Sequence, residues 1–238
     1  MLPVAQHRTP TDELGAIEGS VVRYLRRGFI TAFATAAALG AATLGVGSAG
    51  AATATWHVLT ASQVESTRIT LAIAQGIDST ISAIEYGKGG QANFQKCGLV
   101  RTERISVARN TRWTAPDREG ITLIMQLSSV TDSQALFGRA RTAYLACTPD
   151  TFGYKYPARV DVTGSWLMKK KELRLRWTIY SDATKTTTKK ADGLTIRRQG
   201  AALIITRSES QSAATVNQGV NSQLTAKQAA RYRAVALF

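Results

Sequence analysis

Histidine is scarce in this chain, which holds only His7 and His57. Nucleophilic triads of the Ser-His-Asp or Cys-His kind need an imidazole held rigidly beside the nucleophile. Histidine is also a usual ligand of catalytic zinc. His7 precedes an apolar segment, and His57 follows that segment closely, so neither is placed well for such a role. We therefore expect no histidine-dependent enzyme, no metal site and no cofactor.

Sequence motifs for nucleotide binding and esterase chemistry are also absent. The chain contains no P-loop, no Gly-x-Gly-x-x-Gly after a predicted strand and no Gly-x-Ser-x-Gly. Paired carboxylates could still hydrolyse glycosides. Most acids after residue 54, however, fall at predicted turns and helix starts: Asp78, Asp117, Glu119, Asp132, Asp150, Asp182 and Asp192. Non-catalytic ligand binding is the main prediction, with a carboxylate-dependent envelope hydrolase and a purely structural surface protein as alternatives.

Charge and proline are both missing from residues 29–46, an apolar run rich in Ala, Gly and Thr. Arg23, Arg26 and Arg27 precede this run, and two Ala-x-Ala sequences follow it at 49–51 and 52–54. A basic start, an apolar middle and a small-residue end are the features of an export signal. Arg26 and Arg27, followed by Gly-Phe-Ile, also resemble a twin-arginine signal.

This signal predicts the organisation of the chain. Residues 1–22 are interpreted as a polar N-terminal stub, residues 23–54 as a signal peptide or signal anchor, and residues 55–238 as a single extracytoplasmic domain. About 20 apolar residues can span a bilayer, so membrane association through residues 28–51 is the alternative to cleavage. The domain is predicted to be either secreted or anchored outside the cytoplasm.

Only two cysteines are present, Cys97 and Cys147. In an exported chain, two cysteines most simply form one disulfide. Closing the 50-residue separation would stabilise the fold by about 4 kcal/mol in the chain-entropy model. Two reduced, buried thiols are the alternative.

Acidic residues are few relative to basic ones, 16 against 30, which gives a net charge of +14. Outside a cell this charge favours anionic envelope polymers, while the lack of a nucleic-acid motif argues against nucleic acid. The candidate contacts with an anionic surface form a basic strand face and rim: Lys169, Lys170, Lys171, Arg174, Arg176, Arg197 and Arg198. A solvated basic face is the alternative interpretation.

Aromatic residues are also few, at 7% of the chain. Tyr154, Trp166 and Trp177, with Tyr156 nearby, are candidates for lining the pocket of an apolar or sugar ligand. Packing in the core is the alternative for all of them.

Hydrophobic alternation and helical spacing divide the exported part into strands and helices. Helices are predicted after Thr60, in two pieces over 69–84, at 131–147 with Thr131 as the cap, and at 222–234 with Asn221 or Ser222 as the cap. Strands are predicted at 105–114, 121–128 and 173–180, with a tight turn at Asp192-Gly193 and a hairpin over 194–206. The order predicts an α+β domain: an antiparallel twisted sheet packed with a few helices, preceded by an N-terminal apolar signal or anchor helix.

Several landmarks occur in a characteristic order. Residues 59–64 come first, then Cys97, then a helix with Phe137, Tyr144 and Cys147, and finally an Arg-rich turn before residues 202–205. This order resembles actinobacterial exported sensor-like domains, which are similar to the extracellular sensor domain of PknH-type mycobacterial kinases. The resemblance spans roughly residues 57–235. It implies an α+β fold with a groove for a small ligand and no catalysis.

Overall fold

The computed structural model describes residues 55–89, 95–210 and 218–237. The predicted export segment, including Arg26 and Arg27, lies outside these residues, as does the predicted membrane contact through 28–51. Both therefore stay predictions. Within the described ranges, no helix is long and apolar enough to cross a membrane.

Seven strands form one antiparallel sheet, as the alternation of apolar and polar residues predicts. In chain order they are β1 (Ala83–Lys88), β2 (Ile105–Ala115), β3 (Arg118–Leu127), β4 (Val160–Leu167), β5 (Glu172–Tyr180), β6 (Thr188–Gln199) and β7 (Ala202–Ser210). Their order across the sheet is β1-β2-β3-β7-β6-β5-β4. The sheet thus consists of two meanders that meet where β3 pairs with β7.

Four α-helices accompany the sheet in the described residues: α1 (Ala61–Ser66), α2 (Leu71–Gln75), α3 (Val130–Leu145) and α4 (Gln218–Ala236). Two short 3₁₀ turns, Pro157–Arg159 and Met168–Lys170, flank β4. Helix α3 packs on one face of the sheet, whereas α4 packs on the other. The α+β prediction with an antiparallel sheet is therefore confirmed.

The face covered by α3 is apolar. Leu136, Ala140 and Tyr144 of α3 are fully buried against alternate residues of the central strands. These strand residues are Leu123, Met125, Leu127, Leu173, Leu175, Trp177, Leu194, Ile196, Leu203 and Ile205. Because alternate strand residues share a face, one apolar face of each strand contributes to this core.

The face covered by α4 combines buried polar groups with two apolar clusters, to which α4 contributes Val220, Leu224, Ala229, Tyr232 and Ala236. Asn221 Nδ2 donates to the Gly193 carbonyl oxygen at 3.1 Å, and Thr225 Oγ1 donates to Thr206 Oγ1 at 2.8 Å. Ser222 Oγ donates at 2.8 Å to Glu172, whose carboxylate is fully buried. These hydrogen bonds offset much of the cost of burying the polar groups, although Asn221 Oδ1 has no partner among the described residues.

The segment before β1 is attached by two buried glutamines. Gln126 Oε1 accepts from Leu59 N at 2.9 Å, and Gln126 Nε2 donates to Leu59 O at 2.8 Å. Gln228 binds in the same two-sided way to the backbone of Ile69 and Thr67. These amides supply the hydrogen bonds that a neighbouring strand would otherwise supply.

Replacement of Gln126 with leucine should destabilise the protein by about 3 kcal/mol. The change leaves the backbone groups of Leu59 and the hydroxyl of Tyr232, which donates to Gln126 Oε1 at 2.7 Å, without partners in a buried place. Urea unfolding followed by circular dichroism measures the loss. An equal loss in Gln223→Leu, a change at an exposed position of α4, would contradict this interpretation.

Two predicted elements differ from the structure. The second helical piece over 69–84 is wrong, because Ala83–Lys88 pairs with β2 as the edge strand. The tight turn at Asp192-Gly193 is also wrong, because both residues lie inside β6, where Asp192 pairs with Trp177 of β5 and Glu209 of β7. In both places long-range strand pairing overrides the local propensity.

Helix α3 and helix α4 both begin earlier than predicted. Ser129, rather than Thr131, caps α3, and its hydroxyl accepts from Asp132 N at 3.0 Å. In α4, Asn221 and Ser222 were interpreted as caps because short polar side chains favour that position. They are instead buried inside a helix that begins at Gln218, where the sheet supplies their partners.

Candidate functional site

A groove of about 470 Å³ opens where β1, β2, β3 and β7 lie side by side. This volume is within the range of roughly 300–1,000 Å³ that is typical of ligand sites. On β3, Leu123, Met125 and Leu127 are buried under α3, and the next residues on the same face are Ile121 and Glu119, which are less buried. The groove therefore continues the α3 face of the sheet beyond the apolar core.

Strand register determines which charged side chains meet in the groove. Arg112 of β2 pairs with Glu85 of β1 on one side and with Ile121 of β3 on the other. Glu119 pairs with Glu209 of β7. Since residues at steps of two share a face, Arg112, Glu85 and Glu119 project from the same side of the sheet.

The side chains of Arg112, Glu85 and Glu119 are exposed and line the groove. Among the residues that the structure describes, none of the three has an ion-pair or hydrogen-bond partner for its side chain. The groove thus offers one guanidinium and two carboxylates that are free to bind a ligand.

Arg207 forms the inner wall of the groove and is held on several sides. It donates to Asp192 Oδ1 at 3.2 Å and to Glu209 Oε2 at 3.1 Å, and its guanidinium lies 5.6 Å from the centroid of the Trp177 ring. Lys190 Nζ lies 2.7 Å from Glu209 Oε2. These contacts immobilise Arg207 and balance the adjacent acids Asp192 and Glu209.

Burial shifts the pKa of Asp192 in this network and that of the neighbouring Lys96. It raises the pKa of the Asp192 carboxyl, against the opposing effect of the Arg207 and Lys190 charges. Burial also lowers the pKa of Lys96, assisted by the nearby Arg207 charge. Within the described ranges, no three His, Cys, Asp or Glu side chains are grouped so that they could hold a metal ion.

The predicted disulfide is present. Cys97 and Cys147 are bonded, with their Cα atoms 5.2 Å apart. Cys147 lies just beyond the end of α3 rather than in its last turn. The bond fixes the loop that carries Lys96, whose ammonium lies 4.7 Å from the centroid of the Phe152 ring.

The seven predicted contacts with an anionic surface do not share one environment. Arg174 Nε and Arg197 Nη2 lie 2.6 and 3.4 Å from the carboxylate of the buried Glu172, which the sequence analysis did not assign. Arg198 follows Arg197 in the same strand and therefore projects from the opposite face. The remaining four, Lys169, Lys170, Lys171 and Arg176, are exposed. Binding of an anionic polymer by these residues stays a prediction.

The three predicted pocket aromatics line a different region from the groove. Trp177 is 2% exposed and packs against Phe152 in the core. Trp166 packs edge-on against Phe137, with the Arg141 guanidinium 4.9 Å from its ring centroid. Tyr154 contacts the Tyr156 ring edge-on. None of the three is among the described residues that line the groove, although the Trp177 ring supports Arg207 of its inner wall. Their role in ligand binding stays a prediction.

The residues that line the groove are not predicted as ligand contacts by the sequence. Local patterns indicate a turn residue at Glu119 and no particular role for Arg112, Glu85, Arg207 and Glu209. One signal was available. Arg207 and Glu209 continue the alternation of Leu203 and Ile205 in β7. The alternation therefore predicts that two charged residues lie on the same face as the apolar ones.

Comparison with known proteins gives a structural match without a sequence family. No family model and no curated protein matches this chain. Among solved structures, the extracellular domain of PknH from Mycobacterium tuberculosis matches with a TM-score of 0.55 and 6% sequence identity. The match covers 76% of this chain and 100% of the PknH domain. The resemblance inferred from the sequence is therefore confirmed at the level of the fold: the domain has a fold similar to that of the PknH extracellular domain.

Proposed function

We propose that this protein is an exported, non-catalytic, sensor-like domain that binds a small ligand in the charged groove. The free Arg112, Glu85 and Glu119 side chains carry the proposal, because a rigid sheet presents both signs of charge to solvent without internal partners. The export signal in the sequence and the fold similarity to an extracellular domain support a location outside the cytoplasm.

The charges of the groove suit a zwitterionic ligand. Arg112 can bind a carboxylate in bidentate geometry, and Glu119 can bind an ammonium group. The two residues are diagonal neighbours on paired strands, so their backbone positions are about 7–8 Å apart. Two to three residues of extended peptide, at about 3.3–3.6 Å each, span a similar distance. A short peptide with free termini therefore fits the spacing.

Isothermal titration of the full chain with dialanine, trialanine and tetraalanine tests this function. We expect saturable binding of at least one of these peptides, and about tenfold weaker binding by the Arg112→Ala variant, which corresponds to about 1.4 kcal/mol. N-acetylation or C-amidation of the peptide should weaken binding to a similar degree.

The matched control for Arg112→Ala is Arg176→Ala, which removes an exposed arginine on the opposite face of the sheet. It should bind each peptide as the unmodified protein does. Equal affinity in the two variants, or equal binding of free and doubly blocked peptides, would contradict the assignment of the groove.

A carboxylate-dependent hydrolase is the second candidate. Glu119 and Glu209 lie opposite each other on paired strands, which is the observation that favours it. The Glu209 carboxylate, however, is already bound by Lys190 and Arg207. Because only Glu119 of this pair lacks a partner among the described residues, ligand binding is the better-supported function.

A further inference from the structure

A second cavity lies on the other layer of the molecule, between α2 and α4. Its volume is about 520 Å³. Ile73, Gly76 and Ile77 line it from the α2 side, and Ala230 and Ala234 line it from α4. Ile73 and Ile77 also pack against the buried cluster around Trp113. The cavity is therefore a largely apolar surface channel, open to solvent, that rests on the core.

The channel has a basic rim. Lys227 and Arg231 border it, and no acidic residue is among the described residues that line it. The Arg231 guanidinium is fixed by hydrogen bonds from Nε to Thr67 O at 2.8 Å and from Nη2 to Ser66 O at 2.9 Å. The exposed Lys227 ammonium has no partner anywhere in the part of the chain that the structure describes.

The basic and apolar parts follow one another along α4. Lys227, Ala230, Arg231 and Ala234 recur at steps of three and four, so they lie on one face of the helix. From Lys227 to Ala234 the helix rises by about 10 Å. The channel thus places a free cation at one end and small side chains at the other, with isoleucines along the opposite wall.

We propose that this channel binds a single-chain amphiphile with an anionic headgroup, of the class of a fatty acid. The headgroup pairs with Lys227, and the alkyl chain lies against Ile73, Ile77, Ala230 and Ala234. Charge complementarity favours this occupant over segment 29–46 of the same chain, because that segment contains no carboxylate to pair with the Lys227 ammonium. The concave shape suits one alkyl chain, whereas a bilayer surface would need an outward-facing apolar patch.

Calorimetric titration of the full chain with laurate below its micellar concentration tests the proposal. We expect one laurate per chain, and at least tenfold weaker binding by Ala234→Phe, because the added ring fills the apolar end. The matched control is Ala72→Phe, which adds the same ring at an exposed α2 position outside the channel. This control should bind laurate as the unmodified protein does.

A charge-reversing variant tests the headgroup assignment. Lys227→Glu should weaken laurate binding at least fivefold and strengthen binding of dodecyltrimethylammonium. Circular dichroism melting curves of all three variants confirm that each is folded. The proposal is overturned by equal laurate affinity in Ala234→Phe and Ala72→Phe, or by equal binding of laurate and dodecyltrimethylammonium to the unmodified chain. It is equally overturned if the full chain binds no laurate, which is the result expected if its own apolar segment fills the channel. Binding of anionic phospholipid vesicles but not of laurate would also overturn it.

Discussion

Replacing Gly164 with alanine is expected to destabilise the protein by about 4 kcal/mol or more. Gly164 lies in β4 beneath α3, where a Cβ atom would overlap the carbonyl oxygen of Tyr144 and lie 2.5 Å from its carbonyl carbon. Both clashing groups are backbone, so no change of rotamer can relieve them. Helix α3 would have to move away from the edge of the sheet and open the apolar core.

Gly138→Ala is the matched control, because Gly138 is an exposed residue of α3 and an added Cβ there would meet no atom within 4 Å. This change should stabilise the protein by about 0.5–1 kcal/mol, since alanine loses less backbone entropy in a helix. Urea unfolding of the two variants gives both values. A destabilisation by Gly164→Ala of less than about 1 kcal/mol would show that α3 does not press on β4 at this point.

Reduction of the Cys97–Cys147 bond is expected to lower the free energy of unfolding by about 4 kcal/mol. The bond closes a 50-residue loop that includes β2, β3 and α3. Breaking the bond raises the conformational entropy of the unfolded chain, which favours unfolding. It also frees the loop that carries Lys96 over Phe152. Urea unfolding of the oxidised protein, with and without dithiothreitol, measures the difference.

The double variant Cys97→Ala, Cys147→Ala is the control for reduction. It should unfold at the urea concentration of the reduced protein and be insensitive to dithiothreitol. Thiol titration of the denatured, non-reduced protein should find no free cysteine. Two free thiols in that assay, or a midpoint that reduction leaves unchanged, would contradict a stabilising disulfide.

Much of the architecture could be read from local patterns. The alternation around Leu173, Leu175 and Trp177 predicts β5, and the four-three-four spacing from Leu136 to Cys147 predicts α3. Both patterns are clear because one face of each element is buried in a continuous apolar core. The edge strand β1 was missed because its residues show no such alternation and its partner is distant in sequence.

The α4 layer was harder to predict for a different reason. Its buried face intersperses the polar Asn221, Ser222 and Thr225 among apolar residues such as Leu224 and Tyr232, so the apolar stripe of the helix is interrupted. Polar groups of this kind normally indicate a helix start or a surface. Their burial depends on partners in β5, β6 and β7, which are not visible from the helix sequence alone.

The groove shows the same limit. Glu119, Arg112 and Glu85 occur in three separate strands, and only the register of β1, β2 and β3 brings them together. A shift by one residue would place each of them on the other face. Without the paired register, the acids could only be interpreted one by one, as turn residues or solvated charges.

The scarcity of histidine, the single cysteine pair and the excess of basic residues were determined by the sequence itself, because composition needs no folding to be read. The export signal is predicted from the sequence in the same way, by a contiguous motif. The sequence also determined the α+β class, because burial of one face leaves a periodic signal. The tertiary structure alone decided where charges are neutralised and where they are free. It buried Glu172 among the arginines of the basic strand face. It left Arg112 and Lys227 without partners among the described residues, and a cavity lies beside each of these two cations. These outcomes depend on which distant residues share a face, and strand register and helix packing determine that in three dimensions.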